Sequence, residues 1–72
     1  MKIAYYADTD SMYIDLSKKN SVESKEVSPG VVLDYDADGN LVGIDIDSAG
    51  KKLDLTELIL SKLPVDTHTI AA

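Results

Sequence analysis

Val31-Val32-Leu33-Asp34-Tyr35-Asp36-Ala37-Asp38-Gly39-Asn40-Leu41-Val42-Gly43-Ile44-Asp45-Ile46 carries two runs of alternating character around an Asp-Gly pair. Val31, Leu33 and Tyr35 alternate with Val32, Asp34 and Asp36, while Val42, Ile44 and Ile46 alternate with Gly43, Asp45 and Asp47. Successive side chains of a strand point to opposite faces, so each arm has one apolar face and one mostly acidic face. With Asp38-Gly39 as a two-residue turn, Tyr35 faces Val42, Leu33 faces Ile44 and Val31 faces Ile46. The apolar sets then share a side. Asp-Gly suits a type I′ turn, whose central residues both need positive φ. A slip of one residue would put one apolar set on the wrong face. The stretch therefore predicts a β-hairpin.

The same residues carry two chemical readings. Asp34, Asp36, Asp38 and Gly39 follow the D-x-D-x-D-G spacing of an EF-hand loop, which makes these three aspartates the candidate metal ligands. The twelfth loop position is Asp45 rather than a bidentate Glu, and the flanks have strand period where an EF-hand needs helices. An acidic hairpin tip is the simpler account. V-V-L-D-Y-D-A-D also resembles the first motif of haloacid-dehalogenase-like phosphatases, but that chemistry needs a much larger α/β domain.

Outward from the hairpin, Ser28-Pro29-Gly30 forms a tight turn, and Val22–Val27, with mixed charges, reads as an edge strand. A bulge could bring Val22 and Val27 onto one face. Lys2–Tyr6 is a first strand and Met12–Leu16 a second, joined by the polar Asp8-Thr9-Asp10-Ser11 turn. Parity allows Tyr5 to pair with either Ile14 or Met12. Y-A-D-T-D-S resembles the metal-binding hairpin of family B DNA polymerases over only a few residues, and a polar turn accounts for it. Downstream, Asp54 and Glu57 stand in capping-box positions. Leu55, Leu58, Ile59 and Leu63 share one face at helical spacing, and Pro64 ends the run. The expected fold is thus α+β. A five-stranded antiparallel meander (hairpin 2–16, meander 22–47) would have one helix, about 55–63, packed on its apolar face. Residues 1–64 would form one domain. Residues 65–72 are a tail, either disordered or docking, and carry the lone His68 without a triad partner or metal-ligand spacing.

Composition narrows the function. The 72 residues hold seven Lys and no Arg against thirteen Asp and Glu, a net charge of −6. Such a balance disfavours direct nucleic-acid binding, which depends on phosphate neutralisation, and suits a basic protein surface. Without cysteine there is no disulfide, thiolate zinc site or thiol nucleophile. No glycine-rich phosphate loop is present, and the acids lie on turns and a solvated face. The chain reads as a non-enzyme without cofactors. Neither a signal peptide nor a membrane span is apparent, which predicts a cytoplasmic protein. A core this thin makes oligomerisation or partner binding an expectation.

Four pieces in order carry a family resemblance: Lys2-Ile3-x-Tyr5; Asp10-Ser11-Met12-Tyr13-Ile14-x-Leu16; Val27-Ser28-Pro29-Gly30-Val31-Val32-Leu33-Asp34-Tyr35-Asp36; and Asp38-Gly39-Asn40-Leu41-Val42-Gly43-Ile44-Asp45-Ile46. Over roughly Lys2–Leu53 the chain resembles DUF2283, a family of small bacterial and archaeal proteins of unknown function. It departs at Asp45, where the family usually has Glu, and after Leu53. The resemblance implies a compact β-rich fold and no assigned reaction. Members that sit beside small toxin-like proteins imply an antitoxin-type role. Two expectations for the acids follow. As an interaction module, the chain would present Asp34, Asp36, Asp45 and Asp47 to a basic, nucleic-acid-acting partner, or associate with itself. As a metal-binding module, it would use the Asp-rich turns.

Overall fold

The computed structural model describes residues 1–64. They form five strands, β1 (Lys2–Tyr6), β2 (Ser11–Asp15), β3 (Glu23–Ser28), β4 (Val31–Tyr35) and β5 (Leu41–Ile46), and one short helix, α1 (Ala49–Lys52). All ladders are antiparallel and the sheet order is β1-β2-β5-β4-β3. The hairpin and the three-strand meander form as expected, but the five strands are not in sequential order. β2 pairs with β5 instead of β3, matching Met12 to Ile46 and Ile14 to Ile44. β3 (E-S-K-E-V-S) has no apolar face to offer β2 and takes the edge, where charge is tolerated. Tyr5 pairs with Met12, and a four-residue loop, Ala7–Asp10, follows the last β1–β2 pair.

The β4–β5 turn differs from the two-residue expectation. The Gly39 N–H donates to the Asp36 carbonyl, the Asp36 N–H donates to the Asn40 carbonyl, and Gly39 has φ of 83°. This is a three-residue loop with glycine in the left-handed position. Asp36 drives it, because its Oδ1 accepts the backbone N–H groups of Asp38 and Asn40, both at 2.9 Å. The extra loop residue shifts the pairing by one, so that Tyr35 opposes Leu41. Left uncorrected, Leu33 would face Gly43 and the apolar faces would separate. A bulge at Val42 restores Leu33 opposite Ile44 and Val31 opposite Ile46. A second bulge, at Val27, lies beside the Pro29-Gly30 turn, where Gly30 has φ of 73°. Both valines of the β3 region nonetheless stay exposed.

The largest departure concerns the helix. Segment 53–64 contains none, and the helix of the described residues is α1, directly after β5. In place of the expected capping box, Asp54 closes an Asx turn: its Oδ1 accepts the Thr56 N–H at 3.0 Å and the Thr56 hydroxyl at 2.6 Å. No helix propagates beyond it. Nine residues are too few to hold a helix without a packed apolar face, and Leu58 and Ile59 are 63% and 74% exposed. Lys62, at φ of 57°, also leaves helical geometry before Pro64. The expected cover of the sheet by residues 55–63 is therefore replaced by a mostly β structure with a one-turn helix at one end. The tail, residues 65–72, lies outside the described residues.

The core is correspondingly small. Among the described residues the buried apolar side chains are Val42, Ile46 and Ala49, and no large side chain is fully enclosed. Burying a Val or Ile side chain is worth about 1.5–3 kcal/mol, so β5, which supplies two of the three, is the strand the sheet can least lose. The β2–β3 connection crosses the end of the β4–β5 hairpin. Leu16 N–H donates to the Val42 carbonyl and Val22 N–H to the Tyr35 carbonyl, and Asp36 is only 6% exposed.

Candidate functional site

Register divides the sheet into two chemically distinct faces. One carries Ile3, Tyr5, Met12, Ile14, Val31, Leu33, Ile44 and Ile46. The other carries Ala4, Tyr13, Asp45, Val32 and Glu26 in one cross-strand row and Lys2, Asp15, Gly43, Asp34 and Ser24 in the next. On this polar face one lysine stands against four carboxylates.

A three-strand hydrogen-bonded rail organises the polar face. Tyr13 reaches from β2 across β5 to β4, where its hydroxyl donates to Asp34 Oδ2 at 2.7 Å. The Ser24 hydroxyl on β3 donates to Asp34 Oδ1 at 2.6 Å. The span is possible because Gly43 lies beneath the ring: a Cβ there would fall 1.9 Å from the Tyr13 hydroxyl oxygen. Bonding to the Asp34 carboxylate pushes the Tyr13 phenol up to about 12. The phenol thus stays protonated and donating across the ordinary pH range. Asp45 lies beside this rail. Burial raises its carboxyl above the usual range, with Asp47 and Asp34 adding to the rise. A carboxylate raised in this way gains from any cation brought near it.

The four aspartates expected to bind a partner fall in different places. Asp34 and Asp45 share the polar face. Asp47 is exposed at the end of β5, its N–H bonded to the Gly30 carbonyl. Asp36 is turned into its own loop. The N–H groups of Asn40 and then Asp38 hold its carboxyl below the usual range against the opposing effect of burial. Its Oδ2 is buried without a hydrogen bond, and the Lys19 ammonium stands 4.0 Å away. A lowered carboxyl stabilises the fold above the ordinary carboxylate pKa and loses that effect as pH falls through its folded value. Asp36 is thus a structural acid that acts through the loop.

The candidate metal set Asp34, Asp36 and Asp38 is not brought together. Asp34 is committed to Tyr13 and Ser24, Asp36 Oδ1 is committed to its loop, and no group of three His, Cys, Asp or Glu converges among the described residues. A shallow groove of about 240 Å³ lined by Met1, Lys2, Asp15, Ser17 and Lys18 is smaller than the usual small-molecule pocket of about 300–1,000 Å³. No helix among the described residues is long and apolar enough to cross a membrane.

Two residues matter more than their sequence context suggested. Tyr13 was legible only as an alternating strand residue, although the signal was present: a glycine inside a strand marks close approach of another group. Asp10 read as turn chemistry. Its carboxylate accepts the Gly50 N–H at 3.0 and 3.2 Å and the Tyr5 hydroxyl at 2.7 Å, and its carbonyl accepts the Ala49 N–H at 2.8 Å. It fastens the β1–β2 turn to the start of α1, and its bond raises the Tyr5 phenol above the ordinary value.

A family model described as a protein of unknown function (DUF2283) matches residues 2–49. No curated protein and no solved structure matches the chain.

Proposed function

Because the chain belongs to the DUF2283 family of proteins of unknown function, we propose its function from its surfaces: a non-catalytic interaction module whose acidic sheet face docks a basic protein. The observation that carries this reading is the Tyr13–Asp34–Ser24 rail with Asp45 and Asp15 beside it. The rail holds the acidic face rigid across β2 to β3, so ordering it on binding costs little. Its acids, the half-buried Asp15, Asp34 and Asp45 and the exposed Glu26, are spread across the sheet face rather than gathered in a pocket, which suits a protein better than a small ligand. The partner chemistry that fits is a Lys- and Arg-rich surface, such as the nucleic-acid-contacting side of a small basic protein. Masking that side would make the chain an antitoxin-like inhibitor. Asp34 has both oxygens bonded internally, leaving it poorly placed for acid–base catalysis, and we assign the chain no reaction.

The test is affinity capture from the native host with Asp45→Lys as control. Wild type should retain a basic protein at low salt and release it as salt rises. Asp45→Lys should lower retention at least about tenfold, the effect of 1.4 kcal/mol. Lys25→Ala, on the opposite face, should leave retention unchanged. Undiminished capture by Asp45→Lys would overturn the assignment of the face, and recovery of no basic protein would overturn the function.

A further inference from the structure

We propose that the free edge of β1 pairs with β1 of a second copy of this chain, joining the two sheets through an antiparallel ladder centred on Ala4. This goes beyond the basic-partner reading, which concerns a face of the sheet and not its border.

The open sheet has two borders, and they are built differently. β3 carries Glu23, Lys25 and Glu26 and has a bulge at Val27, features that discourage the addition of another strand. β1 has neither bulge nor proline, and in K-I-A-Y-Y the one charge stands at the start of the strand. With residues 53–64 in place, Ile3 is 41%, Tyr5 47% and Tyr6 56% exposed. Among the described residues no strand lies outside β1. Large apolar side chains on an unprotected edge mark a place where another strand adds.

The backbone of β1 is aimed for such an addition. The Leu16 N–H donates to the Val42 carbonyl. By alternation Ile14 and Met12 also turn their backbone groups toward β5, and Ser11, Tyr13 and Asp15 turn theirs toward β1. Ala4, opposite Tyr13, therefore bonds inward. The N–H and C=O of Ile3 and Tyr5 are left pointing out of the sheet. The Tyr5 hydroxyl donates to Asp10, which fixes that side chain before any partner arrives.

Charge and register choose the occupant. Each of the other four strands carries at least one carboxylate, and β1 carries none. Two copies of a chain of charge −6 thus meet with least repulsion along β1. A two-fold axis at Ala4 sets Ile3 of each copy against Tyr5 of the other, and Lys2 against Tyr6. Ile3 and Tyr5 hold the outward groups, so each such pair exchanges both backbone bonds and joins an aromatic to a β-branched side chain. Ala4 meets its own copy at the narrow position, where Cα atoms are about 4.5 Å apart and a methyl group fits. Lys2 is kept away from its own copy. Registers centred on Ile3 or Tyr5 pair fewer of the strand's residues.

The axis stands perpendicular to the sheet, so the two polar faces lie side by side and offer a basic partner a doubled acidic surface. A ladder this short buries less than the roughly 1,200 Å² of a standard interface, and the dimer is accordingly a weak one. The test is sedimentation equilibrium of the full chain from about 10 µM to about 1 mM, a range suited to weak association, with amide hydrogen exchange read by NMR. Wild type should rise from 7.8 kDa toward twice that mass. The Ile3 and Tyr5 N–H groups should gain protection as concentration rises, while the Ala4 N–H is protected throughout. Ala4→Glu sets two carboxylates on the axis, and Ile3→Pro removes an outward donor without costing β1–β2 a bond. Each should weaken dimerisation at least about tenfold, with circular dichroism verifying the fold. Lys25→Glu adds more negative charge at the other border and should leave the dimer intact. A 7.8 kDa species at every concentration would overturn the proposal. Ile3 and Tyr5 protected in that monomer would assign the edge to the chain's own residues. A dimer indifferent to Ala4→Glu and Ile3→Pro, or abolished by Lys25→Glu, would overturn the choice of edge. None of these readings depends on whether a basic partner exists.

Discussion

Gly43→Ala lowers the unfolding midpoint by about 5–20 °C. The sign is the informative part, because replacing glycine inside a strand ordinarily gains about 0.5–1 kcal/mol by restricting the unfolded chain. Here the new methyl would sit 1.9 Å from the Tyr13 hydroxyl oxygen and 2.6 Å from the ring carbon bearing it. The ring must swing away, forfeiting its cover of β5 and its bond to Asp34. Overpacking of this kind costs about 1–3 kcal/mol, and each kcal/mol moves the midpoint of a domain this size by about 4–8 °C. Tyrosine absorbance titration gives a second readout, since the Tyr13 phenol should return from about 12 toward its ordinary value of about 10. Tyr13 is raised in the folded state, so its stabilising contribution is complete below pH of about 10 and disappears as pH rises through about 12. Wild type should lose that contribution over this window, and Gly43→Ala should not. The double variant Tyr13→Ala with Gly43→Ala should cost less than the sum of the single changes, because each removes the other's conflict. A Gly43→Ala variant as stable as wild type, with the Tyr13 phenol still raised, would show that the ring does not lie over β5.

Asp10→Ala costs about 2 kcal/mol in thermal or denaturant unfolding, and the loss has two separable parts. Asp10 has φ of 52°, where a residue with an ordinary Cβ pays about 1–2 kcal/mol and Asp or Asn pays less. Its carboxylate also acts as a cap from outside the helix, satisfying the Gly50 N–H across 40 residues of chain. Loss of a cap costs about 0.5–2 kcal/mol. Asp10→Gly relieves the backbone and removes only the cap, so it should fall between wild type and Asp10→Ala. All Asp10 variants should let the Tyr5 phenol drop back toward its ordinary value, since the bond to Asp10 is the main cause of its rise. Equal stability of Asp10→Ala and wild type would remove Asp10 from the role of clasp.

The strands were legible because their information is local. Leu33 with Ile44 and Val31 with Ile46 follow from alternation alone, and the structure keeps both pairs. The turn between them departs from the two-residue expectation because Asp-Gly states only a backbone preference. The competing claim of the Asp36 side chain on two N–H groups proved stronger. Parity survived because the bulge at Val42 absorbed the shift, something that alternation cannot announce in advance. The placement of β5 beside β2 is a tertiary choice, legible only in the negative from the poverty of β3. The helix over 55–63 is absent for the opposite reason: capping-box and helical spacing are local patterns, and a short amphipathic segment is helical only against a surface that holds it. Of the acidic candidates, Asp34 and Asp45 share a face because their parity matches once the bulge is counted. Asp36 and Asp38 belong to the loop itself, which spacing in sequence could not separate from a ligand set.

The strand order has a kinetic meaning. β1–β2, β3–β4 and β4–β5 are each closed by a short turn, whereas β2–β5 joins residues more than 25 apart in sequence. Closing that seam costs loop entropy which the other ladders avoid. The molecule is therefore two local units, residues 2–16 and 22–46, meeting along one slow seam. The Asp10–Gly50 clasp crosses the same seam at its far end. Sub-global opening should part the chain there, with the N-terminal hairpin leaving as one cooperative unit while the meander persists. The seam, more than any single side chain, sets how long the two faces stay assembled.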